Sequence, residues 1–80
     1  MTDQREAPLI MWTVYSHPSD YPDKFVARKF EIRRGGVTIA TSDVRIADTL
    51  AKVRTEFIRR GLHPLARSQE DEPQIVETWI

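Results

Sequence analysis

Two adjacent glycines near the middle of the chain restrict its fold more than any other feature. Gly35 and Gly36 separate residues 25–34, in which apolar and charged residues alternate, from the short apolar run 37–40. Alternation with a period of two is typical of a strand, and paired glycines accept the positive φ angles of a tight turn. The sequence therefore predicts an antiparallel hairpin whose first strand has an apolar face (Val26, Phe30, Ile32) and a charged face (Lys29, Glu31, Arg33).

Three further segments have the composition of strands. Residues 9–15 are large, apolar and often β-branched, which predicts a strand with Trp12 and Val14 on one face. Residues 16–23 contain two prolines and two aspartates, so they predict a loop. Residues 62–66, interrupted by Pro64, predict a short edge strand, and residues 74–80 predict a final strand. A turn is expected at residues 41–43.

One helix is predicted after the hairpin, and its start has two interpretations. In the first interpretation, a long helix begins near Ser42. In the second, residues 44–47 form a short strand and Asp48 caps a helix over 49–60. We prefer the second interpretation, with the shorter helix. Gly61 is a suitable left-handed terminator. The spacing predicts one stripe of residues that faces the core: Leu50, Val53, Phe57 and Ile58.

These segments predict an α+β fold: one small, mostly antiparallel sheet in the order β-β-β-α-β-β, with a single helix packed on one face. Eighty residues leave room for one domain. Residues 1–8 are expected to be a loose tail and residues 9–80 the domain, and translation could start at Met1 or at Met11. A chain of this size buries little surface, so we expect marginal stability unless an oligomer adds burial.

Composition excludes several classes of function. The chain has no cysteine, which excludes disulfides, thiolate zinc sites and a cysteine nucleophile. No segment approaches the length of an apolar membrane span, and the start has no pattern of a secretory signal. We therefore expect a soluble, cytoplasmic protein that has no contact with membranes.

The formal net charge of zero conceals an uneven distribution. Eleven of the twelve bases lie between residues 24 and 67, whereas both ends of the chain are acidic. The separation indicates either acidic ends that fold back over a basic middle or a basic face that binds a polyanion. We prefer the first interpretation, because it needs no partner.

Two long motifs suggest a family. Residues 12–30, WTVYSHPSDYPDKFVARKF, resemble the opening W-x-V-Y-x-H-P-x-D-Y-P-x-x-F-V-A-R of a small family of uncharacterised bacterial proteins. Residues 67–80, RSQEDEPQIVETWI, are similar to the closing R-S-x-x-D-x-P-x-I-V-E-x-W of the same family. The resemblance covers most of residues 11–80. It implies no activity, because the family has none assigned, and it favours Met11 as the start and Asp48 as the helix cap.

The loop after the first strand is the richest polar segment and is the candidate binding loop. A catalytic interpretation makes His17 a base that Asp20 orients, but the chain has no G-x-S-x-G elbow and no evident oxyanion hole. We therefore prefer turn chemistry and predict no catalytic residue. The candidate residues of this loop are His17, Asp20, Tyr21 and Asp23.

No metal site and no cofactor site is predicted. A metal would need His17 and His63 to converge with carboxylates such as Asp20 or Asp71. The two glycines lack the lysine and helix of a phosphate loop. Residues 70–72, which are all acidic, are expected to form a solvated turn.

Three functions from different classes remain as hypotheses. The preferred one is a non-enzymatic interaction domain and candidate homodimer, with Trp12 and Trp79 as self-association residues. The second is a nucleic-acid-associated accessory protein that binds phosphate through Lys29, Arg33 and Arg34. The third is a small enzyme or ligand-binding protein that uses the 16–24 loop.

Overall fold

The structure, a computed structural model, describes residues 8–65 and 74–80. Its strands are β1 (Leu9–Ser16), β2 (Phe25–Arg33), β3 (Val37–Ala47), β4 (Pro64–Leu65) and β5 (Ile75–Trp79), and its helix is α1 (Leu50–Arg59). This order confirms the predicted α+β fold. The predicted tail, apart from Pro8, and the predicted acidic turn at 70–72 lie outside the described residues.

All five strands form one antiparallel sheet in the order β3-β2-β1-β5-β4. The hairpin of β2 and β3 therefore lies on one side of β1, and β5 pairs with β1 on the other side. Trp12 of β1 is directly opposite Trp79 of β5. The first and last described strands are thus neighbours, which places the tryptophans side by side.

The helix packs on one face of the sheet, here called the first face. Phe57 is fully buried, and its ring centroid lies 5.4 Å from that of Trp12 and 5.6 Å from that of Trp79. Edge-to-face and tilted aromatic contacts at this separation add to the burial of apolar area. The cluster of buried residues consists of Trp12, Val14, Ala27, Val53, Phe57 and Trp79.

The helix differs from its prediction in two places. Its N-cap is Thr49, whose side chain accepts a hydrogen bond from the Lys52 amide at 3.3 Å, and not Asp48. Ile58 is 65% exposed, so its placement on the core-facing stripe was wrong. The helix covers the sheet with a narrow stripe that includes Val53 and Phe57, and Ile58 lies beyond its edge.

The turn predicted at residues 41–43 is instead an irregularity inside β3. Pairing with β2 changes register between Arg28 and Phe30, whose partners are Val44 and Ala40. Two extra residues on β3 form a bulge there, which the Thr41 hydroxyl stabilises by donating to the Lys29 carbonyl at 3.0 Å. Residues 44–47 therefore continue the same strand.

The predicted hairpin is confirmed, but Arg33 pairs with Val37, so its loop contains Arg34 as well as the two glycines. Gly35 and Gly36 both have positive φ angles, 83° and 80°, within a single 3-10 turn that spans Arg34–Gly36. The alternation along β2 is also confirmed. The pattern did not indicate which of the two faces of β2 the helix covers. Ala27 faces the helix, which puts Lys29, Glu31 and Arg33 on that same first face.

Candidate functional site

The apolar residues of β2 lie on the face of the sheet opposite the helix, here called the second face. Residues directly opposite in an antiparallel pair share a face, and Phe30 is opposite Met11 on one side and Ala40 on the other. One step along, Ile32 is opposite Leu9. Five residues thus form what we call the apolar patch: Leu9, Met11, Phe30, Ile32 and Ala40.

The apolar patch is only partly shielded from solvent. Leu9 is 51% exposed, Ala40 is exposed, and Met11, Phe30 and Ile32 are half-buried. Within residues 8–65 and 74–80, no helix and no second layer of strands packs against this face. The patch is therefore a contiguous group of apolar side chains that the described part of the fold leaves without a covering element.

The candidate binding loop contacts the opposite end of the second face. Arg28, between Val26 and Phe30 on this face, forms an ion pair with Asp20 of the loop. Its guanidinium also lies 6.0 Å from the centre of the Tyr15 ring. Val26 is fully buried here, although it does not belong to the cluster beneath the helix. The Arg28–Asp20 pair thus joins the loop to the end of the face that lies beyond the apolar patch.

The loop does not assemble the catalytic pair that its sequence could have formed. The Nδ1 atom of His17 lies 2.9 Å from the Ser16 hydroxyl, and its ring packs 5.0 Å from that of Phe25. Asp20 pairs with Arg28 instead. His17 also has a φ of 53°, a left-handed value that serves the tight turn after β1. Tyr21 and Asp23 are exposed at the rim of the loop.

The three candidate phosphate ligands lie at the hairpin, where Lys29 and Arg33 form ion pairs with acids. Lys29 is 3.2 Å from Asp43, and Arg33 is 2.7 Å from Glu31. Arg34 lies in the turn between the strands. Each pair is neutral as a unit, so the side chains that the sequence placed on a basic face are largely compensated by their neighbours.

The two candidate self-association residues belong to the core. Trp12 and Trp79 are each 3% exposed and both contact Phe57. The guanidinium of Arg45 lies 5.5 Å from the Trp12 ring centre, and that of Arg60 lies 5.8 Å from it. Buried indoles offer no contact area to a partner, and their strands β1 and β5 already have neighbours on both sides. Self-association through these two side chains is therefore not supported by their positions.

A charged cleft of about 350 Å³ lies between the end of β3 and the start of α1. Lys24 forms an ion pair with Asp48, and this hydrogen bond raises the pKa of Lys24 and lowers the pKa of Asp48. Lys52, 4.0 Å from Asp48, lowers the pKa of that carboxyl further. Across the cleft, Glu56 forms ion pairs with both Arg45 and Arg60. Two carboxylates here are shared by four cations, so the cleft keeps an excess of positive charge, although each of these cations has a carboxylate within 4.0 Å.

A shallow groove of about 530 Å³ runs along the outer side of α1. Glu56 accepts from Arg45 at 3.1 Å and from Arg60 at 2.9 Å at its edge. The groove is broad and open, and the other residues that line it are Ala51, Lys52, Thr55 and Arg59. It brings no nucleophile or base together with an orienting group.

Residues 8–65 and 74–80 contain no group of three or more His, Asp or Glu side chains arranged to hold a metal ion. His17 and His63 do not share a site with carboxylates, and Asp71 lies outside the described residues. Among the described helices, none is both long and apolar enough to cross a membrane.

Comparisons with models of protein families, with curated proteins and with solved structures find no match to this chain. The resemblance to a bacterial family that the two motifs suggest therefore stays a prediction. The site must be interpreted from its own geometry.

Sequence reasoning missed the apolar patch because it assumed that one face of each strand is solvated. A signal was present in β1, where apolar residues occupy both alternating sets: Ile10, Trp12 and Val14 on one, Leu9, Met11 and Tyr15 on the other. A strand that is apolar on both faces is typical of a sheet covered on both sides. The single predicted helix could cover only one of them.

Proposed function

We propose that this chain is a non-enzymatic interaction domain that binds a protein partner through the second face of its sheet. The apolar patch is the observation that carries the proposal. Soluble monomers seldom expose contiguous apolar groups of this kind, and a patch with a polar rim is typical of a binding surface. The Arg28–Asp20 ion pair forms such a rim at one end.

The arrangement of the polar side chains supports a binding function over a catalytic one. Nucleophilic catalysis needs a nucleophile, a base and an orienting group in sequence. Here His17 contacts Ser16 and Phe25, while Asp20 is engaged by Arg28. The residues that could carry out acid-base chemistry are thus divided between separate structural contacts.

The nucleic-acid hypothesis gains no specific support from the hairpin. Phosphate binding needs an excess of positive charge, because affinity comes from the release of counterions. Lys29 and Arg33 are each compensated by a neighbouring acid, Asp43 and Glu31. Phosphate binding by this hairpin therefore stays a prediction, and we rank it behind binding of a protein partner.

A matched pair of phenylalanine truncations tests whether the second face is free to bind. Phe57→Ala should remove about 3–5 kcal/mol of unfolding free energy, or prevent folding, because Phe57 is fully buried beneath the helix. Phe30→Ala makes the same chemical change on the second face and should remove only about 1–2 kcal/mol, because Phe30 is half-buried. Urea unfolding at submicromolar concentration, followed by tryptophan fluorescence, measures both values.

The dilute condition is essential, because it reports on the isolated chain. A loss for Phe30→Ala equal to that for Phe57→Ala would mean that the chain itself covers the patch, and the proposal would fail. A small loss for Phe30→Ala supports a surface reserved for a partner. The predicted cytoplasmic location and bacterial family remain predictions alongside this proposal.

A further inference from the structure

We infer that the partner of the second face is a second copy of this chain, packed sheet against sheet about a two-fold axis. This inference rests on the proposed function, because it needs the apolar patch to be free in the monomer. Three observations favour a copy over other occupants: the charge of the face, its area and the small core of the chain.

The second face is electrically neutral. Arg28 is the only charged side chain among the paired strand residues of this face in the described chain, and Asp20 compensates it. A face without net charge meets its own copy without repulsion, and apolar residues with a neutral rim are typical of homodimer interfaces. A polyanion would find no excess of bases there.

The area of the face suits a weak dimer whose formation depends on concentration. Strands of the lengths described, about 4.8 Å apart and rising about 3.3 Å per residue, present roughly 550 Å² on each side of the sheet. Two such faces in full contact would bury at most roughly 1,100 Å², which is below the range of about 1,200–2,000 Å² for stable, specific interfaces and is typical of weak, reversible ones. We therefore expect a dimer of micromolar affinity.

The core beneath the helix is small, so burial of the second face against a second copy would add to the stability of the fold. Within the described residues the buried apolar side chains are Trp12, Val14, Val26, Ala27, Val53, Phe57 and Trp79. Small domains with so few buried residues commonly gain stability by oligomerising. Face-to-face packing would bury Leu9, Met11, Phe30 and Ile32 between two sheets, as in a β-sandwich.

The decisive experiment is sedimentation equilibrium of the full chain from about 1 to 500 µM, with two matched charge substitutions. Phe30→Asp places a charge in the apolar patch and should raise the dimer dissociation constant at least about thirtyfold. Ile58→Asp places the same charge on the exposed side of α1 and should leave it within about twofold. Wild-type protein that stays monomeric over the whole range would overturn the inference, as would equal effects of the two substitutions.

A cysteine pair keeps the inference testable if Phe30→Asp disturbs folding. The chain has no cysteine, so Ile32→Cys and Ile58→Cys each introduce one thiol. A flexible bis-maleimide cross-linker, which does not need the two thiols to be in contact, should join the Ile32→Cys protein into dimers and leave the Ile58→Cys protein mostly monomeric. Equal cross-linking of both proteins would contradict a dimer through the second face.

Addition of an oligonucleotide tests whether single-stranded nucleic acid, rather than a second copy of the chain, occupies the second face. A twelve-residue oligothymidylate should leave the sedimentation of the wild-type chain unchanged. Binding that Phe30→Ala abolishes would make single-stranded nucleic acid the occupant and would overturn the inference while leaving a binding face in place. Failure of the proposed function itself is recognised separately, by the large loss of stability for Phe30→Ala in dilute solution.

Discussion

At the scale of single residues, exposed ion pairs surround the helix and join it to the sheet. Lys24 of the loop pairs with Asp48, Arg45 of β3 pairs with Glu56, and Arg54 donates to Glu77 of β5 at 2.7 Å. The hydrogen bond from Arg54 to Glu77 raises the pKa of that guanidinium. Pairs of this kind contribute little to the free energy of unfolding, because water screens them. They orient the helix, while apolar burial supplies most of the stability.

The Lys24–Asp48 pair predicts how stability depends on pH. The folded chain holds the pKa of Asp48 below its ordinary value of 3.8, so the unfolded chain takes up the proton first as the pH falls. The contribution is fully present above that ordinary value and is lost as the pH falls below it. Urea unfolding midpoints between pH 6 and pH 2.5 should therefore decline less steeply for Asp48→Asn than for the wild type.

Asp23→Asn provides the control, since it removes another exposed carboxyl from the same neighbourhood and leaves the pair in place. Equal acid dependence of wild-type and Asp48→Asn proteins would contradict a role for the pair. The alkaline limb has the opposite sign: the raised pKa of Lys24 makes its contribution disappear as the pH rises beyond its ordinary value of 10.5.

At the scale of elements, the β2–β3 hairpin depends on backbone conformation alone. A side chain added at Gly35 would meet no other atom within 4 Å, so space does not restrict this position. Its φ of 83° lies in the left-handed region, which residues other than glycine adopt at a cost. The hairpin carries the apolar patch at its end, so the turn also determines the register of Phe30 and Ala40.

Substitution of Gly35 tests this conformational requirement. Gly35→Ala should lower the unfolding free energy by about 1–2 kcal/mol, because alanine resists a positive φ. Gly35→Asn should lower it less, because asparagine tolerates the left-handed region. Urea unfolding of the two variants measures the difference. A result in which alanine is tolerated as well as asparagine would contradict the turn geometry.

At the scale of the whole molecule, the last strand, β5, lies against the first strand, β1. It pairs with the central strand β1 and is the only partner of β4 within the described residues. Trp79 covers one side of Phe57, and its indole nitrogen donates to Glu77 at 3.0 Å. The core therefore closes only when residues distant in sequence meet, which makes folding a property of the complete sheet.

Removal of residues 74–80 should accordingly abolish cooperative unfolding. The shortened chain loses a neighbour of β1, the support of β4 and one wall of the aromatic cluster. Near-ultraviolet circular dichroism should show the loss of fixed aromatic packing, while Trp79→Phe should retain it because the strand and an aromatic ring remain. A truncated chain that still unfolds in one sharp transition would show that β5 is dispensable.

The sequence by itself determined the features that depend on neighbours along the chain. The two glycines predicted the hairpin, because a turn with positive φ needs only local chemistry. The spacing of Leu50, Val53 and Phe57 predicted the inner side of the helix for the same reason. Strand alternation along β2 was also predictable, since it is a local period of two.

Only the tertiary structure decided which face of the sheet the helix covers. Alternation indicates that Phe30 and Ile32 share a side, but the helix lies on the side of Ala27. A ten-residue helix is about 15 Å long, so it shields part of one face and leaves the other for a partner. The exposure of Ile58 follows from the same packing. The apolar patch exists because β1 is apolar on both faces of the sheet, whereas the single helix covers only the first face.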